Sequence, residues 1–168
     1  EDGANYLAWP TDRAAWGRLS MLLSHGKMHA PKGECFLTRD DLIAHAHGLA
    51  MARLAPEAAE TGFAGRLRAD AAALDPLLAL PLHLAVAPLW RGDDRSRRDA
   101  FAAMGVPLLA VNDVRMHHPA RRKLADVLTA IRLHTTVDAL GLAAEAHAER
   151  HLKPPEEMAR LFADRPEA

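Results

Sequence analysis

Cysteine is almost absent from these 168 residues: Cys35 stands alone. One thiol cannot close an internal disulfide, which excludes a secreted, disulfide-framed domain, and it is too little for a Cys-rich zinc site. Charge of one sign is also missing. Lys plus Arg is 21 against 22 for Asp plus Glu, a net of -1. That balance excludes a strongly basic nucleic-acid arm or an acidic tail as the main theme, while leaving a local basic face open. The long apolar run, Ala71 to Trp90, is interrupted by Asp75, His83, Pro76, Pro81 and Pro88. A bilayer span needs about 20 apolar residues with few breaks, so a buried strand with proline-marked ends fits better. No G-x-x-x-x-G-K phosphate loop and no G-x-S-x-G elbow occurs, and no Ser-His-Asp grouping can be assigned by spacing. The start, Glu1-Asp2-Gly3, is acidic and lacks Met, so no signal peptide is expected and the chain reads like a cut made inside a longer, soluble, cytoplasmic protein.

What is present is an ordinary core: 49% hydrophobic and 26% charged residues, enough for one globular domain. Strand and helix patterns alternate. Asn5 to Trp9 reads as a strand stopped by Pro10. Thr11 or Asp12 can cap a helix with Ala15, Trp16, Leu19, Leu22 and Leu23 on one stripe, ended by Gly26. Lys27 to Phe36 reads as a loop. Thr38 and Asp41 have capping-box spacing, with Asp in place of Glu, and the helix they open stops at Gly48. Leu49 to Leu54 is a strand candidate, and Gly62 to Leu74 a helix with Phe63, Leu67 and Ala71 inward. Leu80 to Leu89 is a buried strand candidate. Asp93 or Asp94 then caps a helix ending at Gly105, and Pro107 to Val111 forms a short apolar strand. Pro119 suits a helix start, after which Leu124, Val127, Leu128 and Ile131 give the cleanest helical stripe. Pro155 opens a last helix. The alternation predicts an α/β fold with mostly parallel strands and a helical C-terminal segment from Thr135.

Ten histidines invite metal hypotheses. His45 and His47, two apart on a predicted helix, point about 200° apart and cannot grip one ion. His147 and His151 share the spacing of one helical face, but Ala148 stands where H-E-x-x-H needs Glu, and no third ligand is evident. His83 within an apolar run reads as a hydrogen-bonded core histidine. Cys35 lies in a Gly-Glu-Cys loop with no evident base and reads as an ordinary buried or half-buried thiol. Asp113 reads either as a cation ligand, because it follows an apolar strand directly and ligands gather at the carboxyl ends of parallel strands, or as a turn or helix-capping Asp held by an Arg. Arg115 cannot ligate, since guanidinium stays protonated and has no lone pair to offer. Arg121, Arg122 and Lys123, with Arg115, His117 and His118, form a basic patch at a helix start. It reads either as a phosphate or DNA-backbone contact or as a solvated face.

A resemblance adds to this reading. The run Val106-Pro-Leu-Leu-Ala-Val-Asn-Asp-Val resembles the V-P-L-x-A-T-N-D-V segment of bacterial C-family DNA polymerases, the polymerase III alpha type. Pro119-Ala-Arg-Arg-Lys-Leu-Ala-Asp-Val-Leu-Thr-Ala-Ile-Arg and Ala148-Glu-Arg-His-Leu-Lys-Pro-Pro-Glu-Glu-Met-Ala-Arg-Leu-Phe resemble two further segments in order. Pro10-Thr-Asp-Arg-Ala-Ala-Trp-Gly-Arg-Leu, Lys32-Gly-Glu-Cys-Phe-Leu-Thr and Leu89-Trp-Arg-Gly-Asp-Asp-Arg look like the error-prone branch in particular.

The resemblance implies a PHP domain over residues 1–134, lacking its N-terminal strands, and a helical exit segment over 135–168 leading toward the polymerase palm. The implied fold is part of a (β/α) barrel. Metal-binding members of the family hold metals on a His, Asp, Glu and Cys cluster and hydrolyse phosphodiesters; others keep the domain as structure. Here a family His falls at Asn5, the late Asp-x-His pair becomes Asp113 and Arg115, and a ligand Cys near Met51 to Pro56 is missing. Asp113 is then a vestigial ligand and Arg115 a ligand replacement. No catalytic residue and no cofactor is expected in this segment, the divalent metal (Mg) belonging to the full-length polymerase. The expected partners are the palm, and DNA through the full-length protein, with no membrane. The truncated sheet predicts a homodimer of the isolated chain through an unpaired edge. A metal-dependent phosphoesterase or 3′-5′ exonuclease remains the alternative, with His83, His117 and His118 as further ligands.

Overall fold

A computed structural model of the chain describes residues 3–57 and 60–168, so Glu1 and Asp2, on which the reading of the start rests, lie outside the described residues. The strands are β1 (Tyr6–Pro10), β2 (Leu49–Leu54), β3 (His83–Val86) and β4 (Leu108–Ala110). The α-helices are α1 (Arg13–Met28), α2 (Arg39–His45), α3 (Phe63–Leu74), α4 (Asp94–Ala102), α5 (Arg122–Arg132) and α6 (Pro155–Leu161). Among the described residues no helix is long and apolar enough to cross a membrane.

The chain forms two compact units. The first runs to Leu109 and takes in Glu167–Ala168; the second is Ala110–Pro166. The sheet is open, mostly parallel, and ordered β1-β2-β3-β4. β2 and β3 are parallel, with Arg53 opposite Leu84. β1, expected among parallel strands, instead runs antiparallel to β2, with Tyr6 opposite Arg53 and Ala8 opposite Met51. The reason lies in the connection. One crossover helix returns a chain parallel, whereas here two helices, α1 and α2, intervene and the chain reverses once more.

Side chains alternate along each strand, so Leu49, Met51, Leu84 and Val86 share one face, and it is there that the core gathers. Ala15 of α1, Phe63 and Leu67 of α3, and Phe101 of α4 pack into the same cluster. Trp9 and Leu54, on the opposite face, are exposed. The helix starts follow their local chemistry. The Asp12 carboxylate accepts from Ala15 N–H at 2.6 Å. The Thr38–Asp41 capping box is complete: Asp41 N–H donates to the Thr38 hydroxyl, and Thr38 N–H to the Asp41 carboxylate.

Several expectations need correction. Trp16 and Leu23 are exposed, because α1 has one surface on the core and the predicted stripe is wider than that contact. Gly26 does not end α1, which runs on to Met28. It is a buried close-approach point instead, where an added Cβ would lie 2.7 Å from Cys35 Sγ and 2.8 Å from Leu37. The helix at Asp93 is not capped by that side chain; the Asp94 carboxylate turns back to accept from Leu89 and Trp90 N–H at 2.7 and 2.9 Å. Cys35 is exposed rather than half-buried, because its loop lies over α1 instead of entering the core.

Candidate functional site

The second unit carries Asp113, Arg115 and the basic triplet. β4 feeds Asn112, which is buried and donates to the carbonyls of Glu149 (3.0 Å) and His151 (2.6 Å). Arg115 and Met116 N–H both donate to the Arg150 carbonyl, and Leu152 N–H to the Met116 carbonyl. Met116 and His151 form a parallel bridge. The segment around residue 150, expected to be helical, is instead a run of bends ending in that bridge. Its backbone groups are taken by Asn112 and Met116, and Pro154–Pro155 restrict the chain before α6.

This pairing brings Arg150 onto Asp113. The Arg150 guanidinium pairs with the Asp113 carboxylate, donates from Nε to its carbonyl at 3.2 Å, and lies 3.4 Å from Glu145. Arg115 Nε is 3.8 Å from the other Asp113 oxygen. Asp113 itself has φ +40, in the left-handed region that Asp tolerates better than most residues. The carboxylate thus faces two permanent cations. An approaching divalent ion would meet both, and the arrangement does not fit a metal centre. Among the described residues, no group of three or more His, Cys, Asp and Glu side chains is arranged to hold one.

The other candidates are dispersed. His45 ends α2 while His47 lies past its end, its carbonyl accepting from Arg18. His83 opens β3 with its ring against the Pro81 carbonyl. His118 accepts from Ala120 N–H at 3.2 Å, capping the turn Pro119–Arg121 that leads into α5. His147 and His151 are not on a helix: His147 accepts from Glu149 N–H, and His151 lies against the Ala148 carbonyl. Arg121, Arg122 and Lys123 do not converge. Arg122 donates to the Glu145 carbonyl at 2.8 Å, while Arg121 and Lys123 are exposed.

Sequence reasoning missed Arg150, because its partner is 37 residues away. The only signal was its place in the Ala-Glu-Arg-His segment. Lys153 was missed too. It is buried, and its ammonium donates to Glu149 at 2.8 Å, a bond that holds the Glu149 carboxyl below its ordinary range. In the first unit, Asp70 accepts from Tyr6 Oη (2.6 Å) and Arg39 Nε (2.9 Å) and pairs with buried Arg53. A cleft of about 470 Å³ beside that cluster is lined by Tyr6, Leu19, Leu22, Arg39, Leu42 and Met51, none of them a candidate site residue in the sequence.

No family model matches the chain. Curated relatives do. Proteins named error-prone DNA polymerase from Rhodopseudomonas palustris (strain BisB5) and Brucella abortus biovar 1 (strain 9-941) are each 48% identical over 170 and 167 residues, covering 96% of this chain. Error-prone DNA polymerase 1 of Agrobacterium fabrum is 44% identical over 172 residues and all of the chain. The chain spans 15% of the length of each of these relatives.

Proposed function

We propose that this chain is a non-catalytic structural and interaction part of an error-prone DNA polymerase working in DNA replication and damage-induced translesion synthesis in the cytoplasm. It corresponds to the polymerase's PHP domain, a sector of a (β/α) barrel. The observation that carries the reading is the Asp113 carboxylate held between Arg150 and Arg115. A phosphodiesterase needs that carboxylate for a cation; a scaffold is served by an ion pair that ties residue 113 to residue 150. The relatives' shared name and the identity over nearly the whole chain support the polymerase context. In that context nucleotidyl transfer, with its divalent Mg, belongs to the palm outside this segment. Asp113 is a vestigial ligand position, Arg115 its replacement neighbour, and DNA is met through the full-length protein.

Within the segment the chemistry is positional. Asn112, Arg150 and the Met116–His151 bridge fix the exit from β4 against the stretch leading to α6. Arg122 and Asp126 do the same for α5, holding the Glu145 carbonyl and N–H respectively. The test is elemental analysis for zinc, manganese and iron after metal loading and dialysis, beside a 3′-labelled oligonucleotide digestion assay. Below about a tenth of an equivalent with no digestion is expected; about one equivalent with metal-dependent digestion would replace this reading with the exonuclease.

A further inference from the structure

α5 is turned inside out. Its most apolar stripe, Leu124, Val127, Leu128 and Ile131, faces away from its own unit's contacts, with Leu128 at 59% and Ile131 at 65% exposure. The helix's one acid, Asp126, is buried, its carboxylate accepting from Glu145 N–H at 2.9 Å. Arg122 is directed to the same Glu145 backbone. The polar bonding of α5 is thus inward and its hydrophobic ridge outward, the reverse of a surface helix.

The charged side chains that α5 itself sets beside that ridge have one sign. At about 100° per residue, Arg121 and Arg132 fall on one flank of the stripe and Lys123 on the other. All three are exposed, and no acidic side chain of α5 lies beside the stripe. An apolar seam bordered by cations on both sides complements a helix whose apolar seam is bordered by carboxylates. It opposes a second copy of itself, since a two-fold pairing would set Arg121, Lys123 and Arg132 against their equivalents.

We propose that the outward stripe of α5 docks an acidic amphipathic helix contributed by the rest of the polymerase polypeptide. This rests on the structural-module reading given above and names its contact surface. The relatives supply ample source, since the aligned segment is only 15% of their length.

The test uses the 168-residue chain and an array of overlapping peptides of about 20 residues, each long enough for roughly 30 Å of helix, covering the Rhodopseudomonas palustris relative. Binding is expected to concentrate in acidic amphipathic peptides from outside the aligned segment. It should weaken by about tenfold or more in Leu128→Asp, whose site is exposed and whose fold is checked by circular dichroism. A second variant, Arg121→Glu/Lys123→Glu/Arg132→Glu, keeps the ridge and should shift preference to basic peptides. Absence of any binding peptide, equal binding of basic and acidic peptides, or binding unmoved by both variants would overturn the proposal. So would a concentration-dependent dimer that Leu128→Asp dissolves, which would assign the stripe to a second copy. These outcomes are independent of metal content and oligonucleotide digestion, which decide the structural-module reading by themselves.

Discussion

Removing the Asp70 carboxylate should be the most damaging single change to the first unit. Asp70 is 4% exposed and Arg53 3%, and the Arg53 guanidinium lies 5.8 Å from the Tyr6 ring centroid and 5.1 Å from that of Phe63. Asp70→Ala leaves that cation buried with no counter-charge and strips Tyr6 Oη and Arg39 Nε of their acceptor. Breaking a buried pair from one side costs about 3–5 kcal/mol. Tyr6→Phe loses one hydrogen bond, about 1 kcal/mol. Replacing both charges by apolar groups, Arg53→Met/Asp70→Leu, should recover most of the loss, since the burial penalty disappears with the charges. Urea unfolding monitored by far-UV circular dichroism gives the midpoints, and at this chain length the single variant should lower Tm by about 10 °C. Being buried, the wild-type Arg53–Asp70 pair should respond little to salt, in contrast to exposed pairs such as Arg160–Glu157. An Asp70→Ala loss below about 1 kcal/mol, or a double variant as unstable as the single one, would refute it.

Three further outcomes follow from the same geometry. Gly26→Ala should destabilise by about 1–3 kcal/mol despite its helical position, because the new Cβ meets Cys35 Sγ and Leu37; a gain of stability in urea titration would show that the loop yields. Arg115→His should bind no zinc in isothermal titration, because Arg150 still occupies Asp113; a tight stoichiometric site would contradict the ion-pair account. The Asp41 carboxyl is held below its ordinary value, first by the Thr38 hydroxyl and then by Thr38 N–H. A depressed folded pKa makes the capping contribution present above the ordinary carboxylate value of 3.8 and lost as pH falls through the lowered one. In Thr38→Ala the Asp41 carboxyl carbon, followed by NMR, should titrate at higher pH, and an unchanged titration would remove Thr38 as the cause.

Local features were the most legible in the sequence. Thr38 and Asp41 announce a helix start by spacing alone, and the runs at Leu49 and Pro107 announce strands, since each signal acts within a few residues. The antiparallel β1 was hidden in the loop between α1 and α2, where a single extra reversal changes the pairing. Periodicity showed that α5 has an apolar side but not which way that side faces. That depends on Asp126 and Arg122 finding the Glu145 backbone, about twenty residues later. The same distance problem hid Arg150 from Asp113 and Asp70 from Arg53. Residue types showed that Arg115 cannot ligate; only folding supplies the second guanidinium that completes the ion pair.

The bonds from Asn112 to residues 149 and 151 also set the order in which the second unit can assemble. α5 is local and forms on the sub-microsecond to microsecond scale of isolated helices. The clasp at Asn112 must instead close a loop of nearly forty residues, whose entropic penalty precedes any gain from the contact. During synthesis the apolar residues of α5 therefore emerge before the backbone at Glu145 that orders the helix's polar side. Shielding from premature association in that interval falls to Arg121, Lys123 and Arg132, so the basic border acts as a gatekeeper against aggregation before it serves recognition.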